Sequence, residues 1–291
     1  MESQIYQQFT RTNFKGSFGP KLAGLACVAL VFSAGAASAQ TDSLQKARRF
    51  YNDEQYERAY ELASVARQQT ATRDVAALLQ GRAGLEFYRQ TENPDDLERA
   101  RQALRSVNAS SLSPRDRTDL TIGLAETLFF DQAPGAAAEL FASVIDAASD
   151  FDSAARDQLL DWWATALDRH AQGRPTMERS AVYVQLASDM RLELKRNPAS
   201  VAASYWLVVA EHLSGEFERA WDAAVAGWVR AQLDAPRGAS LRPDLDKLMM
   251  ESIIPEHARR LVAAGVEKDL AQAQASLEAE WERVKTVWSS R

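Results

Sequence analysis

Cysteine is almost missing from this chain, since one of its 291 residues, Cys27, carries a thiol. Cys27 lies in an apolar N-terminal segment that is expected to be removed on export, so the mature chain should contain no thiol. That excludes a disulfide, a thiolate metal site and a cysteine nucleophile. A disulfide-free exported chain of this size fits a bacterial periplasm or cell exterior, where a large core supplies stability without cross-links.

Glycine and proline, which are typical of turns, are also few, with 13 Gly and 9 Pro. No stretch alternates apolar and polar residues as a half-buried strand would, which excludes an all-β fold. The chain is 46% hydrophobic and 25% charged, a composition that can bury a substantial core and that differs from a disordered protein. We therefore predict a soluble, folded, all-α protein.

Positive charge is in deficit, with 34 Lys and Arg against 40 Asp and Glu, a net charge of −6. The first 39 residues hold three of the basic residues and one acidic residue, so the remainder carries 31 against 39, or −8. Binding to a phosphate backbone depends on Lys and Arg that neutralise phosphates. Nucleic acid is therefore not an expected partner.

Catalytic and cofactor motifs are missing as well. The three histidines, His170, His212 and His257, have no second histidine or carboxylate at the spacing of a zinc site such as His-Glu-x-x-His. The sequence contains no Gly-x-Ser-x-Gly elbow, phosphate-binding loop or dinucleotide fingerprint. We predict no metal, no cofactor and no enzymatic activity.

The first 39 residues have the pattern of an export signal. Basic residues precede an uncharged run that begins at Leu22 and ends with small residues, which predicts cleavage between Ala39 and Gln40. An uncleaved membrane anchor is the alternative, because the uncharged run reaches the lower length limit for a span. Its last seven residues are only Ser, Ala and Gly, which partition weakly into a membrane. Lipid attachment at Cys27 is a further alternative, although the residues before it match a lipoprotein site poorly. We expect a periplasmic or secreted protein.

Beyond the predicted export signal, a helical pattern returns about every forty residues. Each copy has a small residue, an aromatic residue or Leu three positions on, a short turn, and Ala within a second amphipathic run. The marker residues of the first helices are Ala47, Gly84, Ala125, Ala164 and Val208. A fixed period of this size indicates stacked helix pairs that bury their apolar faces against one another. We therefore predict an α-solenoid of about five helix-turn-helix pairs.

Three copies resemble the tetratricopeptide repeat family. They are Leu124-Ala125-x-x-Leu128 with Ala137 and Phe141, Gly215-Glu216-Phe217 with Ala220, and Tyr56 with Ala59 and Ala66. The copies at Gly84 and Ala164 match loosely, and the spacing exceeds the usual family value of about 34. The resemblance covers roughly residues 43 to 233. It implies a solenoid whose first helices line a concave face that can hold a protein or peptide segment.

The C-terminal part departs from the repeat. After Pro236 the run from 244 to 261 carries apolar residues at helical spacing, and Pro255 should force a kink or break in it. A last helix is predicted from 267 to 288, and both segments are interpreted as a cap on the final pair. The predicted organisation is a signal peptide over 1–39, a repeat domain over 40–235 and a cap over 236–291.

The candidate binding surface follows from the resemblance. Positions one turn beyond each marker should point to the concave face. Near the adjacent aromatic pairs Trp162-Trp163 and Tyr205-Trp206, the residues that fit the core register are Trp163 and Leu207, which leaves Trp162 and Tyr205 for the groove. The predicted partner-binding groove consists of Tyr51, Tyr88, Phe129, Trp162, Tyr205 and His212. Packing against the preceding repeat is the alternative role for these side chains. Basic residues that would resemble a carboxylate clamp are absent, so the sequence does not predict binding of a free C-terminus.

Three classes of function remain after these exclusions. The first is a non-enzymatic envelope adaptor that binds a protein or peptide partner in the concave groove. The second is a structural or assembly factor of an envelope complex that uses its convex face and cap instead. The third is a glycan-active envelope enzyme, which needs paired acids, and Glu126, Asp161 and Asp168 are the inward-leaning carboxylates that could supply them.

Overall fold

The structure is a computed structural model that describes residues 37–146 and 151–289. It divides the chain into two compact units, Met1–Asp150 (unit 1) and Phe151–Arg291 (unit 2). Every regular element within the described ranges is helical and none is a strand, which confirms the predicted all-α class. Most of the predicted export signal lies outside the described residues. The first described helix begins at Ala37, so the predicted Ala39–Gln40 junction lies in its first turn.

Unit 1 is a succession of helices joined by short turns. Its helices are α1 (Ala37–Asn52), α2 (Tyr56–Ala66), α3 (Arg73–Thr91), α4 (Pro94–Arg105), α5 (Pro114–Phe130) and α6 (Pro134–Ile145), with a 3-10 turn at Ala109–Ser111. Each helix packs against the next one along the chain, and the alternate helices α1, α3 and α5 also contact one another in order. The core of the unit therefore lies between consecutive helix pairs.

Unit 2 continues with the same kind of packing. Its helices are α7 (Ser153–Gln172), α8 (Thr176–Arg196), α9 (Val201–Ser214), α10 (Phe217–Arg230), α11 (Ala235–Leu248), α12 (Ile254–Ala263) and α13 (Leu270–Ser289), with a π-helical turn at Met249–Ile253 between α11 and α12. The alternate helices α7, α9 and α11 contact one another in order, as α1, α3 and α5 do in unit 1. No described helix in either unit is long and apolar enough to cross a membrane.

Local sequence sets where several helices begin. The Asn93 side chain accepts a hydrogen bond from the backbone N–H of Asp95, and the Ser113 hydroxyl accepts one from the N–H of Asp116. A proline follows each cap at the first helical position, where its missing N–H costs nothing. These cap residues and prolines therefore mark both helix starts in the sequence itself.

The repeat markers fall on alternate helices and are all buried. Ala47, Ala125, Ala164 and Val208 lie on α1, α5, α7 and α9, and each is fully inaccessible to solvent. Gly84 is buried on α3, where a Cβ atom would lie 3.0 Å from the Cβ of Ala100 on α4. Small side chains at these positions therefore allow neighbouring helices to approach closely.

The segment after residue 235 is more regular than its prolines suggest. Pro236 lies in the first turn of α11, where a proline is tolerated, and Pro243 lies inside that helix. At Pro255 the predicted disruption takes the form of the π-helical turn that ends at Ile253. Proline has no N–H to continue an α-helical ladder, and wider local turns accommodate such a break.

Trp281 anchors the last helix. Its side chain is fully buried, its ring lies edge-on to Trp228 of α10 at a centroid distance of 5.5 Å, and its indole N–H donates to Asp246 of α11 at 2.8 Å. Lys285 donates to the same carboxylate at 2.7 Å. The last helix is thus fastened to both α10 and α11, within the same compact unit as the final helix pairs.

Candidate functional site

The side chains predicted to line a groove are mostly inside the protein. Tyr88 is half-buried, and five others are at most 8% exposed: Tyr51, Phe129, Trp162, Tyr205 and His212. Because these five side chains are buried, they offer almost no surface to a partner. The prediction of an aromatic groove formed by them is therefore at odds with the structure, which gives them the alternative role of packing inside each unit.

The cause in unit 2 is the central position of α9. This helix packs against α7, α8, α10 and α11, and every side chain from Ala202 to His212 is buried. The adjacent side chains of Tyr205 and Trp206 are consequently both buried, although successive helical residues diverge by about 100°. On α7 the predicted register is wrong, because Trp162 is buried and Trp163 is half-buried.

In unit 1 the corresponding rings pack against other aromatic rings. Tyr51 of α1 meets Tyr56 of α2 edge-on at a centroid distance of 5.5 Å. Tyr88 of α3 meets Phe130 of α5 in the same manner at 4.9 Å, and Phe129 lies beside Phe130. Such pairs stabilise contacts between helices beyond the apolar area that they bury.

A buried ionic network joins α3 to α5 in unit 1. The two oxygens of Glu126 accept from Arg82 Nη1 at 2.6 Å and from Arg89 Nη2 at 2.8 Å, and Arg89 Nη1 lies 2.6 Å from Glu86 Oε1. These four side chains are at most 13% exposed. Two positive and two negative charges thus balance within a space from which water is largely excluded.

The charges in this network stabilise one another and tie α3 to α5. Burial raises the pKa of Glu126, and the two guanidiniums oppose that rise by favouring the carboxylate. Burial also raises the pKa of the nearby Tyr51 hydroxyl, which therefore stays neutral. Both oxygens of Glu126 are occupied by arginines of the same chain, so this acid is poorly placed to transfer a proton to a substrate.

A second set of acids lies between α7 and α9 in unit 2. Asp157 accepts from the Ser200 hydroxyl, from the Val201 N–H at 3.0 Å and from Arg237 Nη1 at 2.9 Å. This carboxylate therefore caps the N-terminus of α9, where the helix dipole favours negative charge. One turn further along α7, the half-buried Asp161 accepts the indole N–H of Trp206 at 2.8 Å.

Burial has its clearest effect on two of the predicted carboxyls. Desolvation raises the pKa of Asp161 to about 6, the Trp206 hydrogen bond lowers it, and the charge of Asp244 raises it. Desolvation likewise raises the pKa of Asp168 to about 6, against a 2.7 Å hydrogen bond from the Tyr183 hydroxyl. Asp168 is 2% exposed and bonded within its own unit, whereas Asp161 retains partial access to solvent.

His212 belongs to a group that the sequence did not predict, the histidine cluster of His212, Phe217, His257, Glu218 and Glu256. The Phe217 ring lies between the two imidazoles, at centroid distances of 5.2 Å from His212 and 5.6 Å from His257. Each imidazole Nε2 approaches a glutamate, at 3.5 Å for His212 and Glu256 and at 3.6 Å for His257 and Glu218. Both Nδ1 atoms are buried and have no hydrogen-bond partner among the residues that the structure describes.

One exposed apolar surface lies on α8. Met177, Val184 and Leu192 are 88%, 56% and 49% exposed, and Ala181 and Ser188 are exposed between them. With spacings of three to four residues these five side chains share one face of the helix, and we call them the α8 stripe. The opposite face of α8 is buried in unit 2 through Tyr183, Leu186, Ala187, Met190 and Leu194. The sequence shows apolar residues at this spacing, but the predicted binding surface was built on aromatic side chains and did not include them.

No group of three or more His, Cys, Asp or Glu side chains among the described residues could hold a metal ion. Comparisons of the chain with family models, with curated proteins and with solved structures find no match. Inference about its function therefore rests on the side chains themselves.

Proposed function

We propose that this protein is a non-catalytic, exported binding protein of the bacterial envelope, built from tetratricopeptide-like helix pairs in a solenoid. Its partner is a protein segment that presents an apolar helical face, and the binding surface is the α8 stripe. The exposure of this stripe is the observation that carries the proposal.

The exposure of these side chains favours binding over folding as their role. A solvent-facing helix position accepts Lys, Glu or Gln without loss of helix propensity, whereas α8 has Met, Val and Leu there. From Met177 to Leu192 the stripe extends about 22 Å, at roughly 1.5 Å per residue. An amphipathic partner helix contacts such a surface through apolar side chains at positions i, i+3 or i+4, and i+7.

The position of α8 favours an assembly role over a groove-binding role. In a stack of the tetratricopeptide kind, first helices line the concave face and second helices form the convex face. The marker Ala164 lies on α7, so α8 is the second helix of its pair. The contacts among alternate helices within each unit support such a stack. A partner on α8 would occupy the outer face, as expected for an envelope assembly factor.

The experiment begins with a photo-reactive amino acid in place of Ala181, which would identify the partner by cross-linking in cells. Purified partner is then titrated against wild type, Val184→Glu and Gln185→Glu. Gln185 is the matched control, because it is exposed and adjacent but lies outside the stripe.

We expect Val184→Glu to weaken binding by about thirtyfold, equivalent to a hot spot of about 2 kcal/mol. Gln185→Glu should bind like wild type, and all three proteins should melt at similar temperatures. Equal affinities of the two variants would refute a role for the stripe.

A glycan-active enzyme is the second candidate, and Asp161 is the observation that favours it. A half-buried carboxyl with a pKa near 6 has the property that glycosidases require of a general acid. The test is release of reducing ends from purified cell-wall glycan by wild type and by Asp161→Asn. Release by wild type that the substitution abolishes would favour this candidate, whereas no release by wild type would favour the binding protein.

A further inference from the structure

The histidine cluster is the place where α12 is fastened to the α9–α10 hairpin. His212 comes from α9, Phe217 and Glu218 come from the start of α10, and Glu256 and His257 come from α12. Only two residues of α12, Ile254 and Ala258, are buried. The histidine cluster adds polar contacts between α12 and the hairpin beside this small buried face.

The charged groups in and next to the cluster come from four helices. Glu218 of α10 and Glu256 of α12 approach the imidazoles, and Glu211 of α9 is paired with Arg191 of α8. Arg260 of α12 adds a positive charge. Its guanidinium carbon lies 3.9 Å from the centroid of the Phe217 ring, and its Nη2 donates to Glu256 at 3.0 Å.

Protonation changes this arrangement unfavourably. In a neutral imidazole whose Nε2–H points to a glutamate, Nδ1 is a lone pair and needs no acceptor. A second proton creates a buried N–H without an acceptor, which incurs the desolvation penalty of that group. It also adds positive charge beside Arg260. Glu256 attracts the imidazolium of His212, but that carboxylate already accepts a hydrogen bond from Arg260.

We propose that the histidine cluster is an acid-sensitive latch, which holds α12 on the α9–α10 hairpin at neutral pH and releases it on mild acidification. The inference is independent of the α8 stripe, since no residue of the stripe belongs to the cluster.

The direction of the effect follows from proton linkage. Burial lowers the pKa of His212 below its usual value, with Glu256 raising it and Arg260 lowering it. The stabilisation is therefore fully present above the pKa of a released histidine, about 6.5, and decreases as the pH falls below that value. For one histidine that stays neutral in the closed state, opening should increase about tenfold between pH 7.5 and 5.5.

The test is hydrogen exchange of the full chain, read by mass spectrometry at pH 7.5 and 5.5 and corrected for the intrinsic pH dependence of exchange. We expect protection of the α12 peptide to fall about tenfold on acidification, while protection of α3 in unit 1 stays unchanged. His212→Gln with His257→Gln should remove this difference between the two pH values. A wild-type α12 whose protection does not depend on pH would overturn the latch, as would a double variant with the wild-type response.

A second measurement covers the case in which the double variant does not fold. Histidine proton resonances of the wild-type protein can be followed by NMR from pH 7.5 to 5.0. We expect one imidazole to titrate together with resonances of α12, with the same apparent midpoint. Titration of both imidazoles without a change in α12 would overturn the proposal.

Discussion

Single side chains in this protein acquire their properties mainly from what surrounds them. Glu126 and Glu98 are both glutamates on helices of unit 1, and both accept from arginine. Glu126 is 1% exposed and lies between two guanidiniums, whereas Glu98 is 48% exposed and lies beside Arg101. The environments differ, and so should the energetic consequences of neutralising each residue.

At this scale we predict that Glu126→Gln is strongly destabilising. The substitution leaves Arg82 and Arg89 buried without their shared carboxylate, and breaking a buried charge pair in this way typically costs about 3 to 5 kcal/mol. Urea unfolding of the purified protein measures the change. Glu98→Gln is the control and should alter the free energy of unfolding by less than about 1 kcal/mol, since exposed pairs contribute little. Similar losses in the two variants would mean that the Glu126 network is not desolvated.

At the scale of helices, close approach between α3 and α4 depends on glycine. A Cβ atom at Gly81 would lie 2.5 Å from Cγ of Leu104, which is itself 1% exposed and has little room to move. At Gly173, by contrast, the nearest atom to an added Cβ is 3.9 Å away. Substitutions at the two positions therefore distinguish the effect of a steric clash on stability from the effect of replacing a glycine.

We predict that Gly81→Ala destabilises the protein although alanine favours helix formation. The gain in helix propensity is roughly 1 kcal/mol, while overpacking against Leu104 costs about 1 to 3 kcal/mol. Gly173→Ala should be close to neutral or slightly stabilising, because its Cβ would approach no atom more closely than ordinary van der Waals contact. Thermal unfolding of both variants beside wild type gives the comparison. A higher melting temperature for Gly81→Ala would show that α4 can move away from α3 at little cost.

The same scale explains which features could be predicted from the sequence. The starts of α4 and α5 depend on cap residues and a proline within four positions, so local pattern was sufficient for them. The buried face of α7 depends on the neighbours that cover it, and the register of Trp162 and Trp163 was predicted the wrong way round. The histidine cluster unites His212 with His257, 45 residues further along the chain. No local spacing marks such a contact, because it arises only when α12 meets α9.

At the scale of the whole molecule, the predicted export signal can be compared with the part of α1 that carries buried contacts. The side chains from Asp42 to Lys46 are exposed or half-buried, and Ala47 and Tyr51 carry the buried contacts of α1. The predicted cleavage site precedes all of these residues. Removal of residues 1–39 would therefore leave the buried contacts of α1 with α2 and α3 in place.

The last prediction is that the exported protein begins at Gln40 and has the stability of the full chain. Intact mass of protein released from the periplasm should correspond to residues 40–291. Its melting temperature should match that of the uncleaved protein within about 2 °C, which is close to the shift that 1 kcal/mol gives in a chain of this size. Deletion of residues 1–51 is the control, because it also removes Ala47 and Tyr51 and should lower the melting temperature markedly. A product that keeps its first 39 residues in the membrane fraction would contradict the cleavage site and favour an anchor. Equal melting of both truncated proteins would instead show that α1 contributes little to unit 1.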